Sequence, residues 1–144
     1  MKKIFIYSNA QRCPEHFRQS LEKLLTDNGF VLTDASDPEL DFAVSVGGDG
    51  TFLNAVKAIG YRSTPVIGIN TGHLGFFSEL APEESGKLIE LLKTEKYQVQ
   101  RHRTIKTVVQ TEQQSFELAP AVNDVGILLI FGAPFISRQI RKHL

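Results

Sequence analysis

A nearly continuous apolar run, Phe42-Ala43-Val44-Ser45-Val46, stops at Gly47-Gly48-Asp49-Gly50-Thr51 and passes at once into a helical pattern. A short apolar run closed by glycine predicts a buried strand, as in a parallel sheet. A glycine-rich turn from such a strand into a helix lets a phosphate approach the backbone. The helix's first N–H groups and positive dipole end favour an anion there. Gly47, Gly48, Gly50 and Thr51 are therefore candidate phosphate-binding residues. Thr51 is followed by Phe52-Leu53-Asn54, so there is no Walker lysine, and the turn does not match the Gly-x-Gly-x-x-Gly fingerprint either. Backbone amides and a metal must then hold the phosphate. Asp49 adds chemistry, because a carboxylate among glycines costs solvation free energy unless a metal, hydroxyl or backbone donor meets it. Its structural role would be to cap the helix expected from Thr51, which is compatible with a chemical one.

The same alternation runs through the first hundred residues. Ile4–Tyr7 reads as a strand, and Glu15–Asp27 as a helix with Phe17, Leu21, Leu24 and Leu25 on one face and Asn28-Gly29 as its stop. Phe30–Thr33 is a short strand and Asp34–Glu39 a loop. Thr51–Ile59 is a helix with Phe52, Val56 and Ile59 aligned, Pro65–Ile69 a strand, and Glu83–Lys93 a helix begun by Pro82 with Leu88, Leu91 and Leu92 on its face. Strands alternating with helices predict an α/β unit: a mostly parallel sheet with helices on both faces. Ligands gather at the carboxyl ends of such strands. Gly47-Gly48 and Asn70-Thr71-Gly72 both sit there, so two loops are expected to converge on one crevice.

From Tyr97 the period becomes that of strands, with a polar turn at Glu112–Gln114 and further strand-like runs at Phe116–Leu118 and Val122–Ile130. This predicts an α/β nucleotide-binding domain over 1–100 and the start of an antiparallel, β-rich domain over 101–144. Two or three strands without mates leave open edges, so this region is expected to pair with another chain or to belong to a larger domain.

Two more constellations carry candidate chemistry. In Asn70-Thr71-Gly72-His73-Leu74-Gly75-Phe76-Phe77, Asn70 and His73 are possible loop contacts and the two aromatics are suited to stacking on a ring. The alternative is a loop that packs both rings into the core. Asn123-Asp124 interrupts an apolar run; such a pair suits a sugar diol, or else an Asx turn. Arg101, His102 and Arg103 read as a solvated strand surface, and Arg138, Arg141, Lys142 and His143 as a solvated tail.

Composition narrows the class. The 144 residues carry 16 basic and 16 acidic side chains, which gives no electrostatic footprint for nucleic acid. The apolar run Val125–Ile136 is short of the roughly 20 residues that span a bilayer, so no membrane segment is expected. A single cysteine, Cys13, fits a reducing cytoplasm.

Taken in order, Gly47-Gly48-Asp49-Gly50-Thr51-Phe52-Leu53, Gly68-Ile69-Asn70-Thr71-Gly72-His73-Leu74-Gly75-Phe76 and Ala121-Val122-Asn123-Asp124 resemble the motifs of the NAD kinase family. The resemblance covers residues 1 to about 125. It implies transfer of the γ-phosphoryl of ATP, or of polyphosphate, to the 2′-hydroxyl of the adenosine ribose of NAD, with Mg²⁺ or another divalent cation. It implies that Asp49 orients or deprotonates that hydroxyl, with Gly50 as the neighbouring backbone contact. By the same resemblance Phe76 lines the adenine side and Asn123 and Asp124 hold a ribose. It also implies a homo-oligomer, because in the family a longer β-rich second domain, often from a neighbouring subunit, completes the NAD site. That domain's further motifs are absent here, so this chain alone is expected to turn over weakly or not at all. The glycine-Asp turn alone is shared with lipid kinases and, more loosely, with phosphofructokinases. A lipid or sugar kinase and a non-catalytic nucleotide-binding remnant are the alternatives.

Overall fold

Lys3–Ser8 forms the first strand, β1, with Ile4 and Ile6 buried on one face and Phe5 packed on the other, the period-two alternation of an extended chain. The computed structural model describes residues 1–11, 13–72 and 75–122. α1 (Glu15–Asp27) buries Leu21 and Leu25, with Phe17 and Leu24 packed beside them. Gly29, at φ +85°, turns the chain out of it, a conformation open to glycine without a Cβ clash. Then come β2 (Val31–Leu32), β3 (Phe42–Val46), α2 (Asp49–Ala58), β4 (Val66–Ile69) and β5 (Ser78–Leu80). A 3-10 turn, Pro82–Glu84, leads into α3 (Ser85–Thr94). These elements form the first of two compact units, Met1–Val99.

The five strands run in the order β2-β1-β3-β4-β5, and every neighbouring pair is parallel. β3 is buried at every position, as a central strand covered on both faces must be. α1 and α3 cover the face of Ile4, Ile6, Phe42, Val44 and Val46, while Ile59, at the end of α2, packs on the other against Ala43, Phe5 and Val66. The expected parallel sheet with helices on both faces is therefore observed. In this strand order the connections reverse direction between β1 and β3, and ligand crevices open at the carboxyl ends of strands at such a reversal. β3 leads there directly into the glycine turn.

Several local expectations are corrected. α2 begins at Asp49, not Thr51, and it buries Thr51 and Ala55, with Ile59 buried at its C-cap, rather than Phe52 and Val56. Thr51 sits hard against Gly47, so small side chains take the inward face and Phe52 turns elsewhere. β5 was not anticipated. It pairs with β4 only from Gly68↔Ser78 to Ile69↔Leu80, too short a run to show a period. α3 buries Ile89, with Leu91 half-buried.

In the second unit, β6 (Ile105–Gln110) and β7 (Ser115–Ala121) pair antiparallel. Thr111 closes the turn through its N–H and hydroxyl, both donating to the Gln114 carbonyl at 2.8 and 3.0 Å. The strand starts at Ile105 rather than Tyr97, and β7 runs unbroken from Ser115 to Ala121. His73, Asn123-Asp124 and the basic tail lie outside the described residues.

The loop between β2 and β3 is pinned to β1. The Asp37 carboxylate accepts from the Thr33 hydroxyl at 2.7 Å and the Glu39 N–H at 2.8 Å, and meets Lys3 Nζ at 3.0 Å. Together, Thr33 first, these hold its carboxyl well below the usual range, down to about 2. A carboxyl depressed on folding stabilises the fold above its unfolded pKa, and that contribution is lost as pH falls through the folded one. Urea midpoints measured stepwise from pH 7 to pH 2 should therefore fall through the window from about pH 4 to about pH 2, and Asp37→Asn should show a smaller fall there.

Candidate functional site

Asp49 and Phe52 stand three residues apart on α2 and so share a face. Both reach the loop between β4 and β5. Asp49 Oδ2 accepts the Phe76 N–H at 3.0 Å and Oδ1 the Phe77 N–H at 3.2 Å. The Phe52 ring stacks on Phe77, with centroids 5.1 Å apart and planes 10° from parallel. The two loops expected to converge are thus joined. An ionised carboxylate offers about four lone-pair sites. Two consecutive amides use one on each oxygen, and the others remain for a hydroxyl or a cation. Asp49 also lies in the first turn of α2, where negative charge is favoured by the dipole.

The expected capping role does not hold. Gly48 is the N-cap and no side chain caps the helix. The Asp49 carboxylate is engaged by the amides of the facing loop instead. Gly48 supplies the cap through its carbonyl, which accepts from Thr51 N–H at 2.9 Å and Phe52 N–H at 3.1 Å.

Each remaining residue of the turn has its own reason. Gly47 is at φ +154°, and a Cβ there would lie 2.3 Å from Thr51 Oγ1. Its N–H donates to the Ile69 carbonyl at 2.9 Å, holding the end of β3 to the end of β4. Gly50 is exposed and a Cβ there would meet nothing within 4 Å. Its backbone is open to an approaching group.

Across from the turn, Asn70 N–H donates to the Leu80 carbonyl at 2.8 Å and Asn70 Oδ1 accepts the Gly72 N–H at 2.9 Å, the closure of an Asx turn. Phe76, its amide held by Asp49, leaves its ring 97% exposed. An aromatic ring in water at the edge of a polar site is suited to stacking on a flat ligand. Neither expectation for the two phenylalanines holds for both: Phe77 packs on Phe52, and Phe76 does not pack inward.

A cleft of about 450 Å³, lined by residues such as Met1, Lys3 and Asp41, and one of about 400 Å³ against β1, β2 and α1 both lie away from Asp49. The carboxylate geometry, not cavity size, marks the site. Sequence reasoning names Gly75 only within its motif, with no role of its own, and misses the Phe52–Phe77 stack, although the three-residue spacing of Asp49 and Phe52 carries a signal for the second.

Residues 11–97 match the profile of the ATP-NAD kinase N-terminal domain. The chain belongs to the NAD kinase family. It is 35% identical over 98 residues to an NAD kinase of Bacteroides fragilis, an alignment covering 67% of this chain and 33% of that protein. It is 42% identical over 102 residues to NAD kinase 1 of Listeria monocytogenes, covering 69% and 39%. The matched segment of this member of the family therefore spans well under half the length of these two relatives. Its fold is similar to that of an NAD kinase from Archaeoglobus fulgidus in complex with ATP, with a TM-score of 0.53, 24% identity and coverage of 76% of this chain and 42% of that one. It is also similar to yeast NADH kinase complexed with NADH, with a TM-score of 0.62, 19% identity and coverage of 85% and 47%.

The glycines of the turn should differ in cost. Gly47→Ala should destabilise the protein by more than about 1 kcal/mol, since alanine at positive φ is strained and its methyl would collide with Thr51. Gly50→Ala should leave stability within about 0.5 kcal/mol of wild type. Urea unfolding followed by circular dichroism measures both.

Proposed function

We infer that this chain supplies part of an NAD kinase site, in which the γ-phosphoryl of ATP, or of polyphosphate, passes to the adenosine 2′-hydroxyl of NAD to give NADP. The observation that carries this reading is Asp49, fixed by two backbone amides with lone pairs to spare, beside an exposed aromatic ring at the carboxyl ends of parallel strands. The ribose oxygen attacks the γ-phosphorus, the bond to the β–γ bridging oxygen breaks, and the hydroxyl proton passes to Asp49. Phe76 stacks on the adenine and Gly50 contacts the nucleotide through its backbone. Gly47, Gly48, Gly50 and Thr51 face the phosphates, and Asn70 and His73 are loop contacts. Asn123 and Asp124 hold a ribose.

Among the described residues, no group of three or more His, Cys, Asp or Glu side chains is arranged to hold a metal ion. The divalent cation of this reading, Mg²⁺, enters on the phosphates of ATP, as magnesium commonly does in kinase sites. When bound it neutralises developing phosphate charge. Among the described residues no helix is long and apolar enough to cross a membrane. A cytoplasmic location and a homo-oligomer belong to the same reading.

In a second reading this chain binds nucleotide without turning it over. Calorimetric titration with NAD and ATP, with an assay of NADP formation in Mg²⁺, separates the two. Binding with weak or absent turnover is expected of these 144 residues. A chimera carrying residues 1–99 in place of the matching segment of the Listeria relative should form NADP. Asp49→Asn in that chimera should lower turnover by about 100-fold or more with the fold retained, the scale of a lost general base. Unchanged turnover would remove Asp49 from the chemistry.

A further inference from the structure

Gly75 immediately precedes the two residues whose amides hold Asp49. A Cβ built on Gly75 would lie 2.1 Å from Asp49 Oδ1, 2.7 Å from its Cγ and 3.0 Å from its Oδ2, and these are its three nearest neighbours. Separations under 3.0 Å are essentially never found for a real Cβ. The backbone does not itself demand glycine, because positive φ among the described glycines is confined to Gly29, Gly47 and Gly60. Hence the carboxylate opposite is what bars a side chain at position 75. Nor can the carboxylate swing aside cheaply, since its two oxygens are engaged by Phe76 and Phe77, and moving it gives up both charge-assisted hydrogen bonds.

We propose that Gly75 is a positioning residue for Asp49. Its missing side chain lets the loop close until two successive N–H groups reach the carboxylate. That contact sets the plane of the carboxylate and leaves its remaining lone pairs for a sugar hydroxyl. The substrate part rests on the NAD kinase reading; the clamp does not.

The test uses the whole chain in four forms: wild type, Gly75→Ala, Asp49→Ala and the double variant, with Gly86→Ala as control. A Cβ at Gly86, in α3, would meet nothing within 4 Å. Amide hydrogen exchange at Phe76 and Phe77, thermal melting, and NAD affinity by calorimetry are measured. Gly75→Ala and Asp49→Ala should each speed exchange at both amides by about tenfold or more, the signature of a loosened local contact. Gly86→Ala should not. Gly75→Ala should lower the melting temperature by about 5 °C. In the Asp49→Ala background the same substitution should cost nothing or raise it, because the obstacle is gone and alanine narrows the unfolded ensemble. An equal penalty in both backgrounds, or exchange at Phe76 and Phe77 indifferent to Asp49→Ala, overturns the proposal.

NAD affinity should fall equally in the two single variants, with no further loss in the double variant. An additional loss would mean that Gly75 does not act through Asp49. If the wild-type chain binds no NAD while exchange and melting behave as stated, the ligand reading fails and the clamp stands. If Gly75→Ala does not fold, wild type against Asp49→Ala and the double variant still decide the exchange and melting results.

Discussion

Two consecutive backbone N–H groups closing on the Asp49 carboxylate join the first turn of α2 to the loop leaving β4. That loop has an unusual task. Parallel neighbours normally need a crossover of about a dozen residues or more, yet Asn70–Phe77 connects β4 to β5 directly. The short path is feasible because β5 pairs with only the last two residues of β4. Three of its described amides, those of Gly72, Phe76 and Phe77, take side-chain partners. Asp49 and the Asx turn at Asn70 supply them, and the Phe52–Phe77 stack covers its flank.

In the proposed reaction the same contact ties folding to chemistry. A carboxylate at a helix start is stabilised by the dipole, and here it is also held in one orientation by amides from a different element. An acid fixed in this way gives up little freedom when a hydroxyl arrives, which is the form of preorganisation that catalysis by positioning uses. Glycine is placed where other backbones or side chains must come close. Gly47 admits Thr51, which seats α2 on the sheet, and Gly75 admits Asp49, which seats the loop on α2.

Much of this was legible from residue order. The bounds of α1 and β3 follow from an uninterrupted apolar period and clear stops, Asn28-Gly29 for one and Gly47-Gly48 for the other. The glycine turn, its place at a strand end and the convergence of two loops follow from the alternation of strands and helices. β5 was not legible, since three residues display no period. Hydrophobicity points to Phe52 and Val56 as the inward face of α2, while the close seat beside Gly47 admits Thr51 and Ala55. The antiparallel pair starts later than the strand period does, because Tyr97–Thr104 alternates in character without a partner strand among the described residues.

Local pattern determined the elements, the parallel sheet covered on both faces and the identity of the acid in the turn, because period, glycine stops and helix dipoles act over a few residues. Folding decided what that acid does. A helix cap and an anchor for a distant loop call for the same carboxylate in the same turn, and the choice depends on whether amides some 27 positions away, at Phe76 and Phe77, are brought within 3.0 to 3.2 Å. They are, through the pairing of β3 with β4 and the brief return of the chain into β5, contacts between residues too far apart in sequence for any local signal to announce.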